Sequence, residues 1–517
     1  MKQIAPRIMA LVVLTFALAP GLFASGQTET TAPAAATGGG TLTIGVDQEA
    51  VGLDPNIVTA FSSFTRLDLM YNRLVKLDDK LQIVPDLAES WEVPNNLTYI
   101  FHLRHGVKFH SGRELTADDV KYSLERILDA KTHSPGRSYI DVIKQIDVVD
   151  PYTVKLTLSS PLASLLAGLS STNCAIVPKE DVEKYGNLQR NEDGTGPFKL
   201  ADWVPDNSMT LVKNPDYFEA GKPYLDKIIF RVIPEQTSLL AGVKAGTLDM
   251  ATLSDGSLIL QAKKDSSLNV MTTPGINIRT FSFNTTHKPF DDVRVRDAVA
   301  MAIDRSEIIA TAEMGLAQPT GPVPSSAGQW ALPMSQLPFS TPDLAKAKDL
   351  LAQAGYPDGF SFNIVASPTY EGGLAVAQVI QNELKKIGLK PEIQSVEWGT
   401  YIDRWVKRDF DTMVELRGGS PEPDRFLYRT FYSTGGVNNF MFKDKEVDAL
   451  LDQGRQLTTF AERKPIYDKL QVLLTQKAPA VFLYTPEQTE ILKPYVKGFK
   501  VMGNGSLLFL EETKLAK

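Results

Sequence analysis

Helical and extended patterns alternate between residues 341 and 484, and this alternation most constrains the fold. Residues 374–387 carry apolar side chains at the helical period and are followed by Gly388, a residue that commonly ends helices. Short apolar segments typical of strands flank this helix, at residues 360–365 and 389–396. Strand–helix–strand order of this kind predicts an α/β layer.

The boundaries of this layer follow from local signals. Thr341 is predicted to cap a helix that ends at Gly355, because Pro342 would then occupy the first helical position, which suits proline. A strand is predicted at residues 481–484, and the chain is expected to leave this layer after Pro486.

Residues 71–128 predict a hairpin followed by a capped helix. The hairpin strands are placed at residues 90–93 and 98–103, joined by one proline and two asparagines, which suit a tight turn. Thr116 is predicted to cap the helix, with Asp119 in its first turn, where the helix dipole favours negative charge.

Length and charge bound the class of protein. At 517 residues the chain is too long for one ordinary core, so two or three domains are expected. The formal net charge of -7 argues against nucleic acid as a partner. Hydrophobic residues make up 43% and charged residues 22%, the balance of a globular protein.

The N-terminal residues predict export from the cytoplasm. Lys2 and Arg7 precede an apolar run at residues 8–18, and small residues up to Gly26 suit cleavage. Residues 1–26 are therefore predicted to be a signal peptide, since the apolar run is too short for a membrane span; a retained anchor is the alternative. The small-residue segment 27–40 is predicted to be a flexible linker.

Catalytic and metal chemistry find little support in the sequence. Cys174 is the only cysteine, which excludes an intramolecular disulfide and a lipid anchor on a cysteine after the signal peptide. His102 and His105 are an odd number of residues apart on a predicted strand and face opposite sides, so no metal site is predicted. No Gly-x-Ser-x-Gly motif is present, and no enzymatic activity or cofactor is expected. The pair Glu511 and Glu512 is interpreted as solvated surface.

Several motifs carry a resemblance to a known family. The run LRHGVKFHSG at residues 103–112 is followed by LTADDV at residues 115–120, and FNT at residues 283–285 is followed by PF at residues 289–290. These motifs closely resemble the peptide/nickel class of extracytoplasmic solute-binding proteins, family 5, which deliver ligands to ABC importers.

The resemblance implies an α/β, two-lobed periplasmic-binding-protein fold, class II-like, with an extra subdomain on the first lobe. The implied division is lobe 1 at residues 41–286 with an inserted subdomain at about 86–194, lobe 2 at 287–485, and a return to lobe 1 at 486–517.

Candidate ligand-binding residues lie in polar and aromatic loops at predicted strand ends, because ligand sites favour domain interfaces with a few aimed polar groups. For each aromatic residue, core packing is the alternative. The candidates are Phe61, Ser62, Trp330, Trp398, Tyr401, Arg417, Gly419 and Glu422.

Gly419 departs from the pattern of the family. Dipeptide-binding relatives place at this position an aspartate that pairs with the α-ammonium group of the peptide, and glycine removes that anchor. Arg417 instead offers a guanidinium suited to a carboxylate or a phosphate. A peptide-derived, acidic or sugar-linked ligand is therefore an alternative to a plain dipeptide.

The resemblance implies a secreted protein, periplasmic or extracellular, that captures a peptide or peptide-like ligand between two lobes. Its expected partners are that ligand and the permease subunits of an ABC importer, with no nucleic acid and with a monomeric state. The alternatives are a non-peptide ligand (anionic, sugar-linked, or a nickel or haem complex) in the same role, a chemoreceptor partner or chaperone, and a secreted hydrolase.

Overall fold

The structure is a computed structural model that describes residues 39–368 and 373–516, apart from the side chain of Trp398. The predicted signal peptide at 1–26 and nearly all of the predicted linker at 27–40 lie outside the described residues.

The described strands alternate with helices over most of the chain. The strands are β1 (Thr41–Val46), β2 (Val75–Leu77), β3 (Ile83–Pro85), β4 (Ala88–Asn95), β5 (Thr98–Leu103), β6 (Ile143–Asp150), β7 (Thr153–Leu158), β8 (Phe198–Val204), β9 (Ser208–Lys213), β10 (Lys227–Val232), β11 (Met250–Thr252), β12 (Asn269–Pro274), β13 (Ile278–Phe283), β14 (Ala317–Pro319), β15 (Ser361–Ala366), β16 (Lys390–Ser395), β17 (Thr412–Arg417), β18 (Ala480–Leu492), β19 (Val496–Lys497) and β20 (Lys514–Leu515).

The described residues also form helices. They are α1 (Phe61–Met70), α2 (Ala117–Leu128), α3 (Arg137–Ile140), α4 (Leu165–Leu169), α5 (Lys179–Tyr185), α6 (Gln236–Ala245), α7 (Gly256–Lys263), α8 (Val293–Ala302), α9 (Arg305–Ala312), α10 (Leu344–Gln353), α11 (Gly373–Lys385), α12 (Trp398–Lys407), α13 (Pro423–Phe431), α14 (Lys445–Gln456) and α15 (Phe460–Lys477).

One long strand, β18, joins two halves of the main sheet. The strand order is β16-β15-β17-β13-β18-β11-β1-β10-β9-β8. The first residues of β18 pair with β13, and its last residues pair with β11 and β12. The predicted strand at residues 481–484 was therefore too short. Proline is tolerated within β18 because Pro486 lies where the strand changes partners, and its carbonyl still accepts a hydrogen bond from Gly275 at 3.0 Å.

Each half of the sheet has its own hydrophobic core. The core beside β1 includes Leu42 and Phe230, and the core beside β13 includes Phe281 and Ile364. The chain passes from the first half to the second between β12 and β13, ahead of the predicted lobe boundary at residue 287.

A separate four-stranded antiparallel sheet, β4-β5-β7-β6, forms the region predicted as an inserted subdomain. Its hairpin is longer than predicted, because β4 continues to Asn95, whose side chain accepts a hydrogen bond from the Leu97 amide at 3.0 Å. The capped helix is confirmed: α2 follows Thr116, whose amide donates to Asp119 at 2.9 Å. The apolar face of α2, which includes Leu124, is buried in this core.

Two local predictions were wrong. Helix α10 begins at Leu344 and is capped by Asp343, which accepts a hydrogen bond from the Lys346 amide at 3.0 Å, so Thr341 does not cap it. Glu511 is only 2% exposed instead of lying on the solvated surface. Its carboxylate is held inside by a hydrogen bond from the Tyr217 hydroxyl, at 3.0 Å, and by ion pairs with nearby lysines.

Three histidines pair with carboxylates, His287 with Asp411 among them. His102 contacts Glu92, and His110 contacts Glu192. Over residues 39–368 and 373–516, no group of three or more His, Cys, Asp or Glu side chains is placed to hold a metal ion. No helix in the described part of the chain is both long and apolar enough to cross a membrane.

Candidate functional site

A cavity of about 490 Å³ lies between the two halves of the molecule. One wall is built from α1, from the segment around residues 170–173 and from the C-terminal segment around residues 502–508; the other is built from α12, β17 and α13. A volume of this size fits a small-molecule site, for which about 300–1,000 Å³ is typical.

Helix α1 places aromatic side chains on the first wall. Phe61 and Phe64 are three residues apart on the helix and share one face, with their rings edge to face at 6.0 Å. Both line the cavity, and Phe61 is 56% exposed. The neighbouring candidate Ser62 is buried and is not among the described lining residues; its carbonyl accepts a hydrogen bond from Arg66 at 2.8 Å.

Helix α12 places aromatic side chains on the opposite wall. Tyr401 and Trp405 are four residues apart, so both face β17. The Tyr401 hydroxyl donates to the Val414 carbonyl at 2.9 Å, and the Trp405 indole donates to Glu415 at 2.6 Å. These bonds fix the tips of both side chains, which leaves their ring faces to line the cavity. The side chain of Trp398 lies outside the described residues.

Arg417 lines the cavity but is already neutralised. Successive side chains on a strand alternate faces, so Arg417 and Glu415 share one face of β17 and pair at 2.8 Å. The same guanidinium donates to Asn439 and stacks over the Phe440 ring at 4.1 Å. The predicted free guanidinium for an anion is therefore committed to an internal ion pair.

The backbone packing explains why residue 419 is glycine. A Cβ atom on Gly419 would lie 1.8 Å from the carbonyl oxygen of Ile276, far inside contact distance. No side chain fits there without a backbone shift. The absence of the aspartate anchor predicted from the family pattern thus has a structural cause.

Besides Ser62, two predicted site residues, Trp330 and Glu422, are absent from the described lining of the cavity. Trp330 packs against Phe460 and Tyr467, with ring centroids at 4.6 and 5.7 Å. Glu422 caps α13 by accepting from the Arg425 amide at 3.1 Å and forms an ion pair with Arg463. Their polar and aromatic groups are used for packing and capping.

The sequence reasoning missed two arginines on α13. Arg425 and Arg429 are four residues apart, so they share one helical face, and both line the cavity. The Arg425 guanidinium stacks over Tyr139 from the opposite wall at 4.0 Å, and Arg429 lies 5.8 Å from the same ring. Burial would raise the pKa of Tyr139, but the two guanidinium groups outweigh it and lower this pKa. The i, i+4 spacing was the available signal, but it does not reveal which way a helix faces.

The acidic groups of the cavity are saturated. Asp68 pairs with Arg73 at 2.7 Å and accepts hydrogen bonds from Thr172 at 2.7 Å and Ser506 at 2.5 Å. Glu415 accepts from Arg417, Asn439 and Trp405, which use both of its oxygens.

The two walls also touch each other directly. The Ser164 hydroxyl, next to α4, donates to the Asp424 carboxylate of α13 at 2.7 Å. Asp424 is fully buried and also accepts from Arg455 at 3.2 Å and from Tyr467 at 3.3 Å. Arg425 reaches the Ala167 carbonyl at 3.5 Å. The two halves of the molecule are therefore in direct contact beside the cavity.

Two sheet halves joined at β18, an inserted subdomain and a cavity between the halves together define a two-lobed binding protein. The predicted fold class is confirmed by solved structures of this kind.

The comparisons place the chain within one family of such proteins. Residues 82–439 match the middle part of the bacterial extracellular solute-binding proteins, family 5. Heme-binding protein A of Haemophilus influenzae is 30% identical over 87% of this chain and 88% of its own length. The structure of AgaA from A. tumefaciens R10 with agropinic acid is 32% identical, with a TM-score of 0.79 and coverage of 92% and 99%. The structure of DppA from Helicobacter pylori with the peptide STSA is 29% identical, with a TM-score of 0.80 and coverage of 93% and 98%.

The chain therefore belongs to family 5 of the bacterial extracellular solute-binding proteins, the class that binds ligands for ABC importers. The resemblance identified from the motifs at residues 103–120 and 283–290 is confirmed.

Proposed function

We propose that this protein captures a peptide or peptide-like solute in the cavity between its lobes and delivers it to the permease subunits of an ABC importer. The observation that carries this proposal is the cavity of about 490 Å³ between the two lobes, which contact each other beside it through Ser164 and Asp424. Closure of two lobes around a ligand is the usual mechanism of periplasmic binding proteins.

The ligand contacts in this proposal come from both walls. Phe61 and Tyr401 supply aromatic surface, and Gly419 leaves backbone open beside the ligand. Arg417 orders the loop through its ion pair with Glu415. Trp398 stays a candidate because of its place at the start of α12.

The remaining predicted residues have supporting roles in this proposal. Ser62, Trp330 and Glu422 hold α1, the Trp330 loop and α13 in place through the hydrogen bond, ring contacts and ion pair described above. None of them is among the described lining residues of the cavity.

The ligands named for relatives differ widely: haem for one, agropinic acid for another and a peptide for a third. The choice of a peptide-like ligand therefore depends on the cavity itself. Its described lining contains no histidine and no cysteine, which favours an organic solute over a nickel or haem complex and favours binding over hydrolysis.

The remaining parts of the proposal concern the cell and the assembly. The protein acts outside the cytoplasmic membrane after export by the signal peptide at residues 1–26, and it works as a monomer. We propose the lobe division at residues 41–286, 287–485 and 486–517, with the crossing between β12 and β13 as an alternative boundary suggested by the sheet pairing.

The test is to denature the purified protein and to identify the released small molecules by mass spectrometry. The proposal predicts a bound organic solute that raises the melting temperature of the ligand-free protein when it is added back. If no solute is released and no compound of a peptide and amino-acid-derivative library raises the melting temperature, the proposal is refuted.

A further inference from the structure

The described lining of the cavity carries more positive than negative charge. It includes four arginines, at 73, 417, 425 and 429, and two carboxylates, Asp68 and Glu415. Each carboxylate is paired with one arginine, Asp68 with Arg73 and Glu415 with Arg417. Arg425 and Arg429 are left without a carboxylate partner among the described residues.

Uncompensated charge in a partly buried cavity is unfavourable unless a ligand neutralises it. Arg425 and Arg429 are half-buried between the lobes, and the neighbour of both is the neutral ring of Tyr139. Stacking on a ring holds a guanidinium in place but does not neutralise it. The nearest carboxylate on their helix, Asp424, is already bound by Arg455 and Ser164.

We infer that the ligand is an amino-acid- or peptide-derived acid with more carboxylates than ammonium groups, and that its surplus carboxylate lies against Arg425 and Arg429. This inference rests on the proposed function. It joins three observations: two unpaired arginines on one helical face, saturated acidic groups on both walls, and a glycine at 419 where no acidic side chain fits.

The same geometry excludes a net cationic ligand. An ammonium group needs a carboxylate partner, and both carboxylates of the described lining already accept bonds from internal donors. Replacing those donors would leave Arg73 or Arg417 buried without a partner, which is unfavourable. An acidic peptide and a non-peptide acid conjugate of an amino acid share the required chemistry.

Matched probes separate these classes. Ala-Glu and Ala-Gln are nearly isosteric and differ in one charge, Ala-Lys carries a cationic side chain, and N-(1-carboxyethyl)glutamate is a non-peptide acid. Binding of each to the dialysed full chain is measured by calorimetry. At least one acid is expected to bind about tenfold or more tightly than Ala-Gln, because a hydrogen bond to a charged group is worth that factor. Tight binding of Ala-Glu but not of the conjugate identifies a peptide pocket. Tight binding of the conjugate but not of Ala-Glu identifies a non-peptide pocket.

Variants assign the effect to α13. Arg425→Gln and Arg429→Gln are each expected to reduce the preference for the acid about tenfold. Arg231→Gln makes the same change at an exposed position on β10 and should leave the preference intact. The melting temperature of each variant shows whether it is folded. If a variant does not fold, the comparison of the probes on the unchanged protein still tests the inference.

The inference is overturned if Ala-Gln or Ala-Lys binds as tightly as both acids, if neither acid binds, or if both arginine variants keep the full preference. A neutral or cationic probe that binds as tightly as both acids overturns the acid class but leaves the proposed function standing. Failure of every probe, together with no compound released on denaturation, overturns both.

Discussion

Replacing Ser164 with alanine should weaken ligand binding without weakening the fold of either lobe. The Ser164 hydroxyl donates from the first half of the molecule to Asp424 on the second at 2.7 Å, and Asp424 is fully buried. A hydrogen bond to a charged group contributes about 1.5–3 kcal/mol. The lower value applies here because Asp424 keeps its contacts with Arg455 and Tyr467.

If this bond exists only when the lobes are closed, a loss of about 1.5 kcal/mol lowers the ratio of closed to open protein by about tenfold. Calorimetry with the co-purified solute should show a corresponding loss of affinity, and small-angle scattering should show a more extended ligand-free protein. Ser159→Ala is the matched control, since the Ser159 hydroxyl donates to the Val142 carbonyl at 3.0 Å within one lobe. Equal affinities of the two variants would contradict the proposal that the bond from Ser164 to Asp424 stabilises the closed form.

Three further predictions concern single substitutions at positions 490, 419 and 330. Burial raises the pKa of Glu490 to about 8, against an ordinary value of 4.5. The stability that its protonated form contributes is therefore complete below pH 4.5 and is lost as the pH rises to 8. The difference in unfolding free energy between Glu490→Gln and the unchanged protein should therefore shift in favour of the variant by about 1.4 kcal/mol per pH unit between pH 4.5 and 8. Denaturant titrations measure this difference, and a difference that does not change with pH contradicts the prediction. Gly419→Asp should lose about 1–3 kcal/mol of stability by pressing on the Ile276 carbonyl, and wild-type stability with new affinity for Ala-Lys would refute the packing argument. Trp330→Ala should lower the melting temperature by removing ring contacts with Phe460 but should change the affinity for the solute little. A large loss of affinity at unchanged stability would show that Trp330 contacts the ligand instead of packing against the protein.

Local sequence signals predicted many of the helices and strands. They did not predict which strands pair with each other. The cap at Thr116 and Asp119 was predictable because the donor and acceptor lie within one turn. The length of β18 was not, because nothing near Pro486 indicates that its neighbours change from β13 to β12. Strand order depends on contacts between segments hundreds of residues apart, which a local pattern does not encode.

The loop positions that line the cavity were easier to predict from the sequence than the charge state of their side chains. Phe61, Tyr401, Arg417 and Gly419 do line one cavity. The state of Arg417 was misjudged, although a glutamate two residues earlier on the same strand pointed to an internal pair. Buried Glu511 was misjudged for the opposite reason, because its lysine partners come from distant parts of the chain.

The position of Gly419 links ligand recognition to the junction of the lobes. Its backbone packs on the carbonyl of Ile276, which belongs to the crossing between β12 and β13. That crossing is tied to the joining strand, since the Gly275 amide donates to the Pro486 carbonyl at 3.0 Å, and to the C-terminal segment, since the Ile276 amide donates to Gly503 at 3.0 Å.

An acidic anchor at residue 419 would push on this junction, so any charge that selects the ligand has to come from another element. Helix α13 begins directly after the same loop and carries Arg425 and Arg429 on the face toward the cavity. The close packing at Gly419 and the two unpaired arginines therefore belong to one arrangement: the loop supplies backbone and the following helix supplies positive charge. A chain with an acidic side chain at residue 419 and neutral residues at 425 and 429 would need a wider crossing at Ile276 and would favour a cationic end of its ligand.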